Sequence, residues 1–427
     1  MTSRLQAREA VLSASLPLSA AFLAVMTLGY AVYATDRTVL SAVIAPLSSS
    51  LSLTSFQFAL LSAAQFIGVT CTVFVAGHLS DRYGRWPVMI SGIAIFTAFT
   101  WLIAFATNFL QAFSFRLISG LGEGAFWPVA MASVANYFRG RKGLSLGIFY
   151  VGFDIGSVAG LSIGGITYAL SNSWRPAFLY APLLGLVVIG GAFLTRKNVP
   201  EAGQRAVGIK LGRDALELLR HRNVLLIMVF ALLATWSSIL QVAFLPYYFY
   251  KVIHFTILSS ALLAAVVAVA GGFGKVIFGG LSDSVKRHRL LVVVTLATLV
   301  SYAVFFASLN LLLDLVGAVA MGFFSASIFP IMQAFMTENS GGQMGSALGL
   351  STSSQSIATV FSPFIAASLF AFGVGRVMAL DSMIPIGLAI VVALFLRSNL
   401  SRFSDSTKPP MVQDLGTHRR SMSHTES

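Results

Sequence analysis

Long apolar runs dominate this chain, each about the length of a bilayer-spanning helix of roughly 20 residues. Short breaks carrying glycine, proline or charge separate them. Counted this way, the runs predict twelve spanning helices, six before and six after a polar stretch near 197–222. The stretch GHLSDRYGRW (Gly77 to Trp86) returns as GGLSDSVKRHR from Gly279, so that Asp283 stands 202 residues after Asp81. The same offset carries Gly120 onto Gly322, Pro128 onto Pro330, Gly143 onto Gly345 and Gly147 onto Gly349. Two hydrophobic halves written in one register are the mark of a membrane carrier built from parallel repeats. The expected fold is all-α, with a first six-helix half over 1–196, a linker over 197–222, a second half over 223–398 and a disordered tail over 399–427.

Composition removes the alternatives to a membrane protein. With 56% hydrophobic and 10% charged residues in 427, there is too little polar side chain to cover a soluble globule. A net charge of +13 in a soluble protein would point to nucleic acid, but here the basic residues are distributed by span. If both termini are cytoplasmic, Arg175, Lys251 and Arg376 fall in external loops and Arg37, Arg116 and Lys275 inside spans, leaving 22 of the 28 Lys and Arg on the cytoplasmic side. That is the positive-inside pattern, and it argues against nucleic acid as a partner. The start, with Arg4 and Arg8 ahead of the first span and no small-residue cleavage site, reads as an uncleaved anchor. One cysteine, Cys71, excludes an internal disulfide. In the linker, LGRDALELLR has the spacing of a short amphipathic helix on the inner leaflet, which makes membrane lipids a partner.

A few charges interrupt the spans. An ionised side chain at a helix centre costs about 2.5–3.5 kcal/mol on insertion scales, so it is expected to face a cavity rather than lipid. Asp36 and Arg37 break the first span, after Tyr30 and Tyr33, with a shallow pair snorkelling at the outer interface as the alternative to a cavity, and the second carries Gln65. The fourth holds Arg116 and Glu123, seven residues and so about 10 Å apart on one helix face, too far for a direct pair. The glycines at 120, 122 and 124 there lack both a preceding strand and dinucleotide-loop spacing, and are read as helix-packing positions. Asp154 lies in the fifth span beside glycines at 152, 156, 160 and 164.

The motif G-x-L-x-D-R-x-G-R, matched by Gly77, Leu79, Asp81, Arg82, Gly84 and Arg85, resembles the loop motif of the major facilitator superfamily. Together with the duplicated halves, the resemblance covers nearly the whole chain. It implies two pseudo-symmetric six-helix bundles around a central cavity, rocking between inward-open and outward-open states. In it Gly77, Asp81, Arg82, Gly84 and Arg85 would form a cytoplasmic latch. Asp283 marks the second copy, expected to be weaker because Ser284 replaces the first arginine. The first-span and fourth-span charges look like those of the anion:cation symporter branch. By that resemblance Arg37 and Arg116 bind a substrate carboxylate while Asp36 and Glu123 take protons. Similar charges occur in spinster-like lysolipid transporters. Leu161 stands where drug-proton antiporters usually carry a proline, which counts against drug efflux.

Charge accounting leads to the same mechanism. Asp36, Glu123 and Asp154 against Arg37 and Arg116 sum to minus one, and protonating two carboxylates makes the site plus one, ready for an anion. Uptake is therefore expected to rise as external pH falls, with Asp154 either a third coupling group or the cap of a local hydrogen-bond network. The offset of 202 maps Asp36, Arg37, Arg116 and Glu123 onto Ser238, Ile239, Ala318 and Ser325, so the second half offers shape and hydrogen bonds. Candidate substrate contacts are Tyr33 and Gln65 in the first half and Trp236, Gln241, Ser351, Ser354 and Gln355 in the second, the second-half residues being at least as well suited to interhelical packing. Lys275, near the cytoplasmic end, reads as a snorkelling side chain. The six histidines fall in loops or tails, and no nucleophile–base pair appears at helical spacing, so an enzyme is not expected. The expectation is a monomeric symporter of a small organic anion in the plasma membrane, bacterial in type, driven by a proton gradient or by sodium and without a cofactor. An exporter of lysolipids or amphiphiles on the same scaffold is the alternative.

Overall fold

The computed structural model describes residues 2–138, 142–195, 219–282, 284–307, 310–339 and 344–396. The expected tail, most of the linker and Asp283 lie outside the described residues. Among those described there are thirteen α-helices and no strand. They are α1 (Thr2–Ser50), α2 (Ser55–Tyr83), α3 (Arg85–Ile103), α4 (Phe109–Tyr137), α5 (Lys142–Ser171), α6 (Arg175–Tyr180), α7 (Leu183–Thr195), α8 (Arg222–Lys251), α9 (Ile257–Leu281), α10 (Arg287–Ala307), α11 (Leu311–Glu338), α12 (Met344–Leu369) and α13 (Val374–Leu394). Helices α6 and α7 form one crossing, Arg175–Leu194, interrupted at Pro182. Among the described residues eleven crossings are long and apolar enough to span a bilayer, and the 49-residue α1, which carries Asp36 and Arg37, packs beside them. His78 and His288 stand within α2 and α10 rather than in loops.

The helix ends are set by local chemistry. Thr54 caps α2 in a reciprocal capping box with Gln57, and Asn108 and Thr256 cap α4 and α9 through their side chains. Gly84, at φ +88°, turns the chain between α2 and α3, a conformation closed to residues with a Cβ. The outer faces carry exposed Phe273, Val276 and Ile277 on α9 and Val293 and Val300 on α10, apolar surface suited to lipid rather than water.

The sequence repeat is a packing repeat. α2 packs on α4 and α3 on α4, as α9 packs on α11 and α10 on α11. Within it, Gly120 lies directly against the backbone of Gln65, and its repeat mate Gly322 lies directly against Val267, the residue 202 after Gln65. Two bundles thus reuse one helix contact, and a Cβ at either glycine would strike backbone. In the first bundle α1 lies along α5, with Gly156 against Ala31 and Gly160 against Thr35, and Thr35 Oγ1 donates to the Gly156 carbonyl at 3.0 Å.

The bundles meet chiefly through α5 with α9, α2 with α12, and α1 with α8. At the end where α1 meets α2, aromatic rings close the seam. Phe58 of α2 sits 5.9 Å from Phe244 and 5.3 Å from Tyr247 of α8, and Phe56 sits 6.1 Å from Phe364 of α12.

Candidate functional site

In α1, Asp36 is 3% exposed and accepts hydrogen bonds on both oxygens. Oδ1 takes Arg116 Nη1 at 3.0 Å and Thr100 Oγ1 at 2.5 Å, while Oδ2 takes Gln65 Nε2 at 2.8 Å and Ser119 Oγ at 2.5 Å. Four donors from α2, α3 and α4 fill the acceptor sites of an ionised carboxylate. Arg116 also donates to the Asp36 carbonyl at 2.9 Å and the Arg37 carbonyl at 3.3 Å, which ties α4 to α1.

Glu123, fully buried, accepts from Arg37 Nε at 3.1 Å and from Gln65 Nε2 at 2.7 Å. One Gln65 amide therefore bridges both carboxylates, leaving its Oε1 without a partner. Arg37 is the least enclosed of the four charges, and its guanidinium lies 4.3 Å from the Tyr33 ring centroid and 5.1 Å from Phe66. The pairing is crossed: Arg116 on Asp36, Arg37 on Glu123. The two charges on α4 do not meet each other, as their spacing implied.

Asp154 corrects the sequence reading of Lys275. Instead of snorkelling at a helix end, Lys275 of α9 reaches Asp154 of α5, with Nζ 2.7 Å from Oδ1. The pair joins the first half of the chain to the second. The snorkelling reading failed because Lys275 lies about 9 Å from the end of its helix and the facing helix α5 places a carboxylate within its reach. With Lys275 included, the minus one of the earlier accounting becomes zero: three carboxylates, three cations, each paired.

In the second half the candidate contacts already have hydrogen-bond partners within the protein. Trp236 Nε1 donates to Asp381 Oδ1 at 2.9 Å, and the Trp236 carbonyl accepts from Ser362 Oγ at 2.9 Å. Gln241 Nε2 bonds the hydroxyl of Tyr302, which also lies 3.0 Å from Ser237 Oγ. Gln355 Nε2 and Ser354 Oγ both turn back to the Ser351 carbonyl, at 3.1 and 2.8 Å. Sequence reasoning missed Thr100, Ser119, Tyr302 and Asp381. Ser119 had a signal, three residues after Arg116 and so on the same face. Of the motif residues, Gly77 and Asp81 fall in α2, with the Asp81 side chain outside the described set; Arg82 is exposed near the Tyr83 ring, and Arg85 opens α3 after the Gly84 turn.

The family model of the Major Facilitator Superfamily matches residues 26–363. A probable 4-methylmuconolactone transporter of Cupriavidus pinatubonensis is 25% identical over 330 residues, covering 73% of this chain and 74% of that protein. Monocarboxylate transporter 13 of Rattus norvegicus is 30% identical over 308 residues, 69% of each. Protein spinster of Drosophila melanogaster is 26% identical over 195 residues, 45% of this chain but only 32% of that protein's length. The crystal structure of a bacterial homolog of the human lysosomal transporter spinster, inward-facing and unoccupied, superposes with a TM-score of 0.71 at 16% identity, over 89% of this chain and 95% of that one. The last comparison speaks to fold.

Proposed function

We propose, from the premise that this chain belongs to the major facilitator superfamily, that it is a proton-coupled symporter of a small organic anion working by alternating access. The superfamily makes it a multi-pass membrane transporter rather than an enzyme, with a small molecule as cargo. Our reading adds the anion, the proton, a bacterial plasma membrane and cytoplasmic termini. The basic residues gathered on one side support the termini, and a monocarboxylate transporter among the relatives supports the anion.

The observation that carries the reading is the Arg37–Glu123 pair. Arg37 cannot lose its proton in a protein, so its pairing is controlled by the partner. While Glu123 is ionised it occupies the guanidinium, and a substrate carboxylate must compete with it. A proton on Glu123 removes that competitor, and the Gln65 amide can turn its unpartnered Oε1 to accept from the new carboxyl O–H. Arg37, beside Tyr33, is then free to form charge-assisted bonds with the incoming anion. Proton and anion binding thus reinforce each other. Asp36 keeps Arg116 in place, so we assign the proton to Glu123 ahead of Asp36. The Gly84 turn, with Gly77, Asp81, Arg82 and Arg85, is the proposed latch.

The test is uptake of a carboxylate panel into proteoliposomes with the outside made acidic. Wild-type protein should accumulate substrate against its gradient, and Glu123→Gln should lose accumulation yet keep substrate exchange. Equal accumulation by mutant and parent removes Glu123 from coupling. Accumulation driven by sodium at constant pH would replace the proton, and lysolipid movement without carboxylate uptake would favour the exporter.

A further inference from the structure

We propose that the cargo is a dicarboxylate, held by Arg37 at one end and Lys275 at the other, with Tyr33 and Phe153 against the carbon chain between them. This rests on the carboxylate-symport reading above and narrows it. The two cations come from opposite halves and are joined by an unbroken aromatic strip. Arg37 lies 4.3 Å from the Tyr33 centroid, Tyr33 lies 6.4 Å from Phe153, and Phe153 lies 5.4 Å from Lys275 Nζ. The α1–α5 register, Gly156 on Ala31 and Gly160 on Thr35, puts Asp154 level with about Gly29. Arg37 is eight residues further along α1, so the backbone levels of the two charged pairs lie about 12 Å apart along the helix axis.

Each cation already holds an internal carboxylate: Glu123 on Arg37, Asp154 on Lys275. A monocarboxylate replaces one of these and leaves the other pair intact. A dicarboxylate replaces both, and each displaced carboxylate takes one proton. The balance is two protons and one dianion, with no net charge moved. Glu123 is faced by Arg37, Asp36 and Tyr33 of α1, Gln65 of α2 and Arg116 of its own helix, and Asp154 by Lys275 of α9 and Tyr30 of α1. Asp154 is poised for the proton, since its Oδ2 has no partner and the facing residue of α9 is Gly272, which places no side chain beside it. Because the Asp154–Lys275 pair crosses the seam between α5 and α9, an anion that takes Lys275 also removes this one tie between the halves.

The experiment compares succinate, glutarate and adipate with butyrate, valerate and hexanoate in proteoliposomes of the full chain, recording substrate and proton uptake together. Wild type should prefer the dicarboxylates by roughly 10- to 100-fold in kcat/KM, the worth of one charge-assisted contact. It should take two protons per dianion, with no response to an imposed voltage. Lys275→Gln should erase the preference, and Lys275→Arg, which keeps the charge, should preserve most of it. Should the Gln variant fail to fold, the wild-type preference and the Arg variant decide. Monocarboxylate uptake with no dicarboxylate preference, or a preference that survives Lys275→Gln, overturns the two-ended site while leaving carboxylate symport standing. Absence of any carboxylate uptake by folded wild type overturns both.

Discussion

Replacing Asp36 by Asn tests whether this carboxylate is the electrostatic anchor of the first bundle. The substitution keeps the shape and removes the charge facing Arg116, whose side chain is 4% exposed. Asn must point its oxygen at Arg116, which has no acceptor to offer an amide N–H. Its nitrogen then faces Gln65 and Ser119. The Ser119 hydroxyl can rotate to accept, but Gln65 can do so only by giving up Glu123. The guanidinium is left buried without a counter-charge, which costs about 3–5 kcal/mol. At about 2.1 cal/mol/K of unfolding entropy per residue, 427 residues convert this into a loss of roughly 3–6 °C in Tm. Thermal unfolding of the detergent-purified protein, followed by size exclusion or by an intrinsic fluorescence scan, measures it. Adding Arg116→Gln should restore part of the loss by removing the stranded cation. A single mutant within a degree of wild type would refute the reasoning, because Asp36 would then not be the counter-charge that holds Arg116.

Two further outcomes follow from packing. Gly156→Ala places a methyl group against the Ala31 carbonyl, a backbone atom that cannot rotate away, so α1 and α5 must separate at a cost of about 1–3 kcal/mol; an unchanged Tm would show that the close approach is slack. Phe58→Ala removes a ring shared between α2 and α8, weakening the closed end alone. In a Cys71→Ser background, a reporter cysteine at Ser41 should then label faster with an impermeant maleimide, and an unchanged rate would mean that the aromatic seal does not hold this end shut.

Much of this protein is written along the chain. Spans are legible because a bilayer-crossing helix must be apolar for roughly 20 residues whatever its neighbours, and the duplication is legible because a shared register survives as Gly120 and Gly322 meeting equivalent backbone. The residues of the charged site were also readable, since ions deep in apolar runs are expensive enough to be few. Their partners were not. Helical spacing fixes which face Arg116 and Glu123 share, but the choice between Asp36 and Arg37 as partner depends on how α4 is placed against α1, and the Gln65 bridge on how α2 closes over both. Lys275 was misread for the same reason: its helix alone offers it only the lipid edge, and the carboxylate that holds it arrives from α5, 121 positions earlier in the chain. Local sequence sets the cost of burying a charge, and only the packing of distant helices decides which opposite charge offsets it.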